Sequence, residues 1–317
     1  MLSFLQRPKR DSEANNTKSS STTLSSFFDD HYYPHAQATK RLAYHDDSVY
    51  RTHLREKLGA YPLEELTNSV LDIWVRDQVT AGYKRSTINK HIHLVNRMLN
   101  LARRWGNITT YSQNQQNIKE LTEGDYTQRF LSVSEAADLL AACKKHGNPF
   151  LFFFVQLLLL TGARKGEARL MRWRDIDFDS RVWTVPRSKN GRSRRIMLSS
   201  AALKVLDATN TQAERLGLDT DPACYVFTNP QTQTAYHSFY ASWFVARDEA
   251  GLTKLRIHDL RHTYASMLIN NGVSLYEVQT LLGHSSIQMT QRYAHLEPNS
   301  LHERTEVVGN LISEMPN

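Results

Sequence analysis

The sequence predicts a mainly α-helical protein with one small antiparallel β-sheet, built as two domains. Three observations predict it. Apolar residues recur at helical spacing through most of the chain. Short apolar runs between Asp175 and Leu198 flank Asn190-Gly191, a strong two-residue hairpin signal. A length of 317 residues suits two domains, and 40% hydrophobic with 22% charged residues supplies a core and a solvated surface.

From the N-terminus, Asn15 to Ser26 reads NNTKSSSTTLSS, too polar to bury a structure, so residues 1–24 are read as a disordered leader. Residues 25–111 are predicted to form a helical domain. In it Leu63, Leu66, Val70, Ile73 and Trp74 fall at helical spacing behind Pro62. Ile88, Ile92, Val95, Leu99 and Ala102 line a second helix that stops at Gly106. Residues 112–124, rich in Gln, Asn and Gly, are read as a linker. The second domain, 125–317, shows capping-box spacing at Ser132-Val-Ser-Glu135. Phe150 to Leu160 is apolar all round, the pattern of a helix buried on every side. Strand candidates follow at 175–178, 181–185 and 194–198, then helix starts near Ser238, His258 and Ser274. Asn271-Gly272 and Gly283 are helix stops. The tail, 297–317, carries Leu301, Val307, Val308, Leu311 and Ile312 at roughly helical spacing.

The net charge of +7 points to a polyanion, an acidic partner or a membrane surface. Residues 161–196 hold eleven Lys or Arg against four Asp or Glu, an excess equal to that of the whole chain. Residues 82–104 carry Lys84, Arg85, Lys90, Arg97, Arg103 and Arg104 without an acid. There Asn89, His93, Asn96, Arg97 and Asn100 lie opposite the apolar stripe, and Asn and Arg pair with adenine and guanine edges in a major groove. A solvated helix face is the plain alternative. Candidate DNA contacts are therefore Lys84, Arg85, Lys90, His93, Asn96, Arg97 and Asn100, with Arg192 and Arg194 in the basic hairpin. Two cysteines, Cys143 and Cys224, build no disulfide framework, which favours a reducing compartment. Met1 to Arg10 lacks a signal-peptide apolar region, and Phe150 to Leu160 falls short of the about 20 residues that span a bilayer. No membrane contact is expected, and a cytoplasmic, nucleoid-associated location is.

Four segments concentrate cationic and titratable residues: Thr161-Gly-Ala-Arg164-Lys-Gly-Glu167, Lys189-Asn-Gly-Arg192, His258-Asp-Leu-Arg261-His262, and Leu282-Gly-His284 through Tyr293-Ala-His295. Each alone has a structural explanation. Arg164 and Glu167 suit a helix-surface ion pair, Lys189 a solvated turn, His258 and His262 a helix face, and Tyr293 a core aromatic. HDLRH also nearly matches the H-E-x-x-H zinc spacing, but Arg261 beside both histidines repels a cation, so no metal site is expected. Together, two arginines, a lysine and two histidines with a tyrosine are what phosphodiester chemistry without a metal needs. The segments TGARKGE, SKNGR, HDLRHTYAS and LLGHSSIQMTQRYAH resemble the signature of the tyrosine recombinases, the phage-integrase family of site-specific DNA recombinases. The resemblance runs from about Leu131 to Leu296, and the helical region before it is similar to the family's core-binding domain.

The resemblance implies a core-binding domain and a catalytic domain that clamp DNA, and it implies roles. Arg164 and Arg261 match the catalytic arginines, whose planar guanidinium forks grip phosphate oxygens. Lys189 matches the general acid for the leaving 5′ oxygen, and His258 and His284 match the two histidines that hydrogen-bond the phosphate and assist proton transfer to or from the tyrosine. Tyr293 matches the nucleophile, with neighbouring cations expected to favour its ionised form. Glu167 corresponds to an acid supporting the arginine and histidine. The implied reaction, for integration or excision of a mobile element, stores bond energy in a 3′-phosphotyrosyl link, so neither ATP nor another cofactor is implied. The implied partners are double-stranded DNA at paired sites, three further copies assembling on it from solution monomers, and accessory directionality or bending proteins. The tail docks on a neighbouring protomer or packs on its own domain. Many phage integrases carry a further N-terminal domain reading arm sites, and residues 1–24 are too short and polar to be one. Two alternatives stay open: a type IB topoisomerase-like nicking and resealing enzyme, and a catalytically inactive DNA-binding regulator of the same fold.

Overall fold

The computed structural model describes residues 22–108, 117–124, 129–186, 193–284, 286–296, 306 and 310. The chain divides between Tyr126 and Thr127 into two compact units.

In the first unit, Leu24–Phe27 (α1) runs through a π-wound turn, Phe28–Tyr32, into Tyr33–Thr39 (α2). Ala43–Val49 (α3) likewise continues through Tyr50–Leu54 into Arg55–Leu58 (α4), followed by Asn68–Thr80 (α5) and Arg85–Arg104 (α6). Residues 22–24, inside the expected leader, are packed into this unit. The Thr22 carbonyl accepts the Leu63 N–H, Thr23 caps α1, and Leu24 is fully buried. Pro62 does not open a long helix. Leu63–Glu65 is a single 3-10 turn, Leu66 leaves helical backbone at ψ 65°, and the Thr67 hydroxyl caps α5 afresh. That restart changes the phase of the helix, so Leu71, Trp74 and Val75 are buried while Ile73 is 47% exposed. In α6 the stripe Ile88, Ile92, Val95, Leu99 and Ala102 is buried as its 3.6-residue period requires.

Residues 117–124 lie along α6. The Asn96 carboxamide donates to the Ile118 carbonyl at 2.9 Å and accepts its N–H at 3.0 Å. Seven residues earlier Asn89 does the same with Leu121, at 2.9 and 2.8 Å. A carboxamide has the donor and acceptor of a peptide group, so two such residues two turns apart act like a short strand partner. Ile118 and Leu121 pack on the core of this unit.

The second unit contains Val133–Lys145 (α7), Leu151–Thr161 (α8), Lys165–Arg169 (α9), Ile176–Asp177 (β1), Val182–Val185 (β2), Arg194–Met197 (β3) and Ser200–Arg215 (α10). Tyr240–Glu249 (α11), Asp259–Asn270 (α12), Leu275–Leu282 (α13) and Gln288–Gln291 (α14) complete it. Helix α7 starts at a true capping box, Ser132 and Glu135 each accepting the other's N–H. Helix α8 packs against α7, α10 and α12, and none of its residues is exposed, as its all-round apolar pattern requires. Each fully buried Leu or Phe there contributes roughly 1.5–3 kcal/mol. The sheet is antiparallel in the order β1-β2-β3, with Trp183 opposite both Ile176 and Ile196. Asn190-Gly191 lies outside the described residues. A separate small cluster, Ala265, Ile269, Val278, Leu282 and Tyr293, joins α12 and α13 to the chain after α14. Among the described residues no helix is long and apolar enough to cross a membrane.

Candidate active site

Helix α8 ends at Gly162, whose φ of +59° is the left-handed conformation that closes a helix. A Cβ there would stand 2.4 Å from the Tyr264 ring, so only glycine lets α8 and α12 approach this closely. Two residues on, Arg164 opens α9. The Glu167 carboxylate reaches back to accept the Arg164 N–H at 3.1 Å and its Nη1 at 2.8 Å. Its second oxygen also accepts Arg194 Nη2 from the start of β3, at 2.7 Å. Burial acts to raise the Glu167 pKa, but hydrogen bonds and charge from Arg194 and Arg164 outweigh it and hold the carboxyl below its usual range.

Arg261 on α12 is 4% exposed and is anchored by two carbonyls, Gly162 through Nη1 and Leu282 through Nη2, each at 2.7 Å. Arg194 Nη1 shares the Leu282 carbonyl at 2.6 Å. Both carbonyls belong to helix C-terminal ends, where they lack helical partners and carry partial negative charge. Burial, then repulsion from Arg164 and Arg194, lowers the Arg261 pKa to about 9, so it stays cationic at neutral pH. Two guanidinium groups thus pair with the Glu167 carboxylate and a third, Arg261, interacts with it by charge, a local excess of positive charge that favours an anion.

His258 precedes α12 and is exposed, its ring edge-on to His262 at 5.2 Å between centroids. Desolvation of its ring and the Arg261 charge lower its pKa. His284 follows the left-handed Gly283, and its Nδ1 pairs with Thr290 Oγ1 at 2.8 Å. Burial, then Arg261 and Arg164, bring the His284 pKa to about 3, so its ring is neutral. Tyr293 is 2% exposed, and its Oη lies 2.5 Å from His262 Nδ1. Neighbouring cations favour the phenolate as expected, but burial outweighs them. Burial raises the Tyr293 pKa to about 12, and the opposing charges of Arg292 and Arg261 do not recover the lost solvation.

The structure therefore brings Arg164, Glu167, His258, Arg261, His284 and Tyr293 into one region of the second unit. Lys189, Arg192 and the tail residues Leu301, Val307, Val308, Leu311 and Ile312 lie outside the described residues. Arg194, expected at the DNA surface, is instead a buried strut with a side chain 10% exposed, because Glu167 and Leu282 take both its Nη groups. The polar face of α6 carries hydrogen bonds and ion pairs within the first unit. Asn96 has spent its donor and acceptor on Ile118, Arg85 donates to the Thr122 carbonyl, and His93 pairs with Glu120. Arg97 bonds Asp46, and Asn100 accepts from Arg103. Residues 117–124 thus half-bury Asn96, while Lys84, Arg85, Lys90, His93, Arg97 and Asn100 stay exposed. Asp259 is held by the Arg256 guanidinium and N–H, and among the described residues no group of His, Cys, Asp and Glu converges to hold a metal. His262 was absent from the expected catalytic set. Its only sequence signal was the one-turn spacing from His258, which suggested a metal pair or a helix face.

Residues 129–300, more than half of the chain, match the profile of the phage integrase family. The chain belongs to that family. It is 30% identical to the integrase of Haemophilus phage HP1 over 222 residues, 69% of this chain and 58% of that protein. To the integrase of Salmonella phage P22 it is 29% identical over 195 residues, 60% of this chain and 49% of that one. The chain spans about half the length of the curated relatives it matches. In fold this family member resembles the Tn1549 transposon integrase solved in complex with circular intermediate DNA. The TM-score is 0.72 at 18% identity, over 90% of this chain and 99% of that chain.

Proposed function

We propose that the protein is a site-specific tyrosine recombinase, cutting and rejoining duplex DNA through a 3′-phosphotyrosyl intermediate to integrate or excise a mobile element. The observation that carries the reading is the largely buried cationic cluster of Arg164, Arg194 and Arg261, with Glu167 pairing the first two, in the same region as a tyrosine. Arg164 and Arg261 bind the non-bridging oxygens and stabilise the charge of the five-coordinate phosphorus transition state. Tyr293 Oη attacks phosphorus, the bond to O5′ breaks, and Lys189 protonates the departing oxygen. With Nδ1 engaged by the Thr290 hydroxyl, His284 presents Nε2–H as a phosphate donor, and His258 binds the same group from the start of α12. A 5′ hydroxyl of a partner duplex then attacks the phosphotyrosine and releases the enzyme. The assembly is a homotetramer on paired sites, formed from monomers in the cytoplasm with accessory bending or directionality proteins, and the first unit holds flanking duplex.

Trapping on a nicked suicide duplex tests this. The wild type is expected to form a denaturant-stable DNA adduct that EDTA does not prevent, and Tyr293→Phe is expected to form none. An absence of wild-type adduct on every bound site overturns the proposal. Recombination of two-site plasmids without relaxation of one-site plasmids is the expected result; relaxation alone would mark a topoisomerase.

A further inference from the structure

We propose that His262 is a further catalytic residue: its Nδ1 holds the Tyr293 hydroxyl and takes the phenolic proton as the phosphotyrosyl bond forms. This rests on the strand-transfer reading above. The geometry is direct, since Nδ1 and Oη are 2.5 Å apart and the two residues are 6% and 2% exposed. His258, the N-cap of α12, and Arg261 and His262 within it stand at i, i+3 and i+4, so one helix face carries the proposed phosphate-binding groups and the partner of the tyrosine. The other two histidines are less well placed for this proton. His284 Nδ1 is occupied by Thr290, and His258, an exposed residue, contacts the His262 ring edge-on.

A neutral phenol is a weak nucleophile, and burial keeps Tyr293 neutral. As Oη bonds to phosphorus, the O–H pair remains on oxygen and the proton passes to Nδ1, giving an imidazolium. The bond from phosphorus to O5′ breaks, and the leaving oxygen takes its proton from Lys189. In the return step the imidazolium gives its proton back to the departing tyrosine oxygen. Burial, then the His258 charge, lower the His262 pKa to about 4, so the ring is an unprotonated acceptor at neutral pH. The groups facing the pair are Asp259 and Arg261 on α12, Arg256 and His258 before it, and Arg292 beside the tyrosine. Asp259 favours the imidazolium that the arginines disfavour, and the DNA phosphate adds negative charge at the moment of transfer.

The test uses the full chain and nicked suicide duplexes selected from a randomised library by binding to the wild type. His262→Asn places a carboxamide where Nδ1 stands, able to hold the hydroxyl but not to take its proton. It is expected to bind DNA as the wild type does and to form adduct about 100-fold more slowly. A 5′-bridging phosphorothiolate, whose leaving group needs no proton, is not expected to restore its rate. His262→Ala is expected to be equally slow and to regain part of its rate in added imidazole. Adduct formation by His262→Asn within about threefold of the wild type overturns this inference alone. A wild type that forms no adduct overturns the strand-transfer reading and this step with it. If His262→Ala fails to fold, His262→Asn decides the question.

Discussion

The Glu167 carboxylate, with a side chain 8% exposed, lies between the Arg164 and Arg194 guanidinium groups. Withdrawing one partner from a buried ionic cluster costs about 3–5 kcal/mol, because the remaining charges stay desolvated and repel. Glu167→Gln keeps the shape and removes the charge, so its urea midpoint at pH 7 is expected to fall by an amount of that order. The pH dependence has a definite sign. The native pKa lies below the ordinary 4.5, so the carboxylate's contribution is complete above about pH 4.5 and is lost as pH falls through the depressed value. Urea midpoints between pH 3 and 6 are therefore expected to fall more steeply for the wild type than for Glu167→Gln. At this scale the motif residues were legible, because HDLRH and TGARKGE place them at fixed spacings. The bond from His262 to Tyr293 was not, since 31 residues separate the partners and no spacing rule links them.

Helix ends position the clustered arginines. The C-terminal carbonyl of α13 accepts from both Arg194 and Arg261, and the turn after α8 supplies the second acceptor for Arg261. Gly162 is the residue on which this depends. Alanine there must adopt φ +59° and place a methyl 2.4 Å from Tyr264 and 2.9 Å from Leu282. Gly162→Ala is expected to lower stability by about 1–3 kcal/mol and to reduce adduct formation more than DNA binding. Melting and suicide-substrate rates together check this, and unchanged values for both would remove the glycine's assigned role. Elements with local signals were legible in the sequence. The boxes at Ser132 and Ser274 are satisfied by residues three apart, and Gly283 is the left-handed stop it was expected to be. The start of α5 was missed because Thr67 restarts the helix after a 3-10 turn, which shifts the buried face.

Across the molecule, buried neutral histidines couple stability to pH in both units. His91 pairs with Gln78 in the first unit and has its pKa lowered by burial to about 4. In the second unit His262 stands at about 4 and His284 at about 3, against 6.5 for the unfolded ring. Between about pH 4 and 6.5 the unfolded chain binds more protons than the native one, so stability falls as pH drops through that window. Calorimetry is expected to show a lower melting temperature at pH 5 than at pH 7, with a smaller difference in His91→Asn and in His284→Asn. Equal melting temperatures at the two pH values would contradict the neutral buried rings.

The sequence by itself determined the helical character, the three strands, the buried α8, the family and the motif residues proposed as the catalytic set. These follow from periodicity, capping and motif spacing, which act over a few residues at a time. Tertiary structure decided what those residues touch. It laid residues 117–124 across the polar face of α6, turned Arg194 from a surface cation into a strut, and set His262 against the tyrosine. It also decided the charge state of Tyr293, neutral where nearby cations alone favour ionisation. Arg261 reaches Gly162 across 99 residues of chain and Leu282 across 21. Desolvation depends on everything that encloses a group, and that enclosure exists only once distant segments have packed.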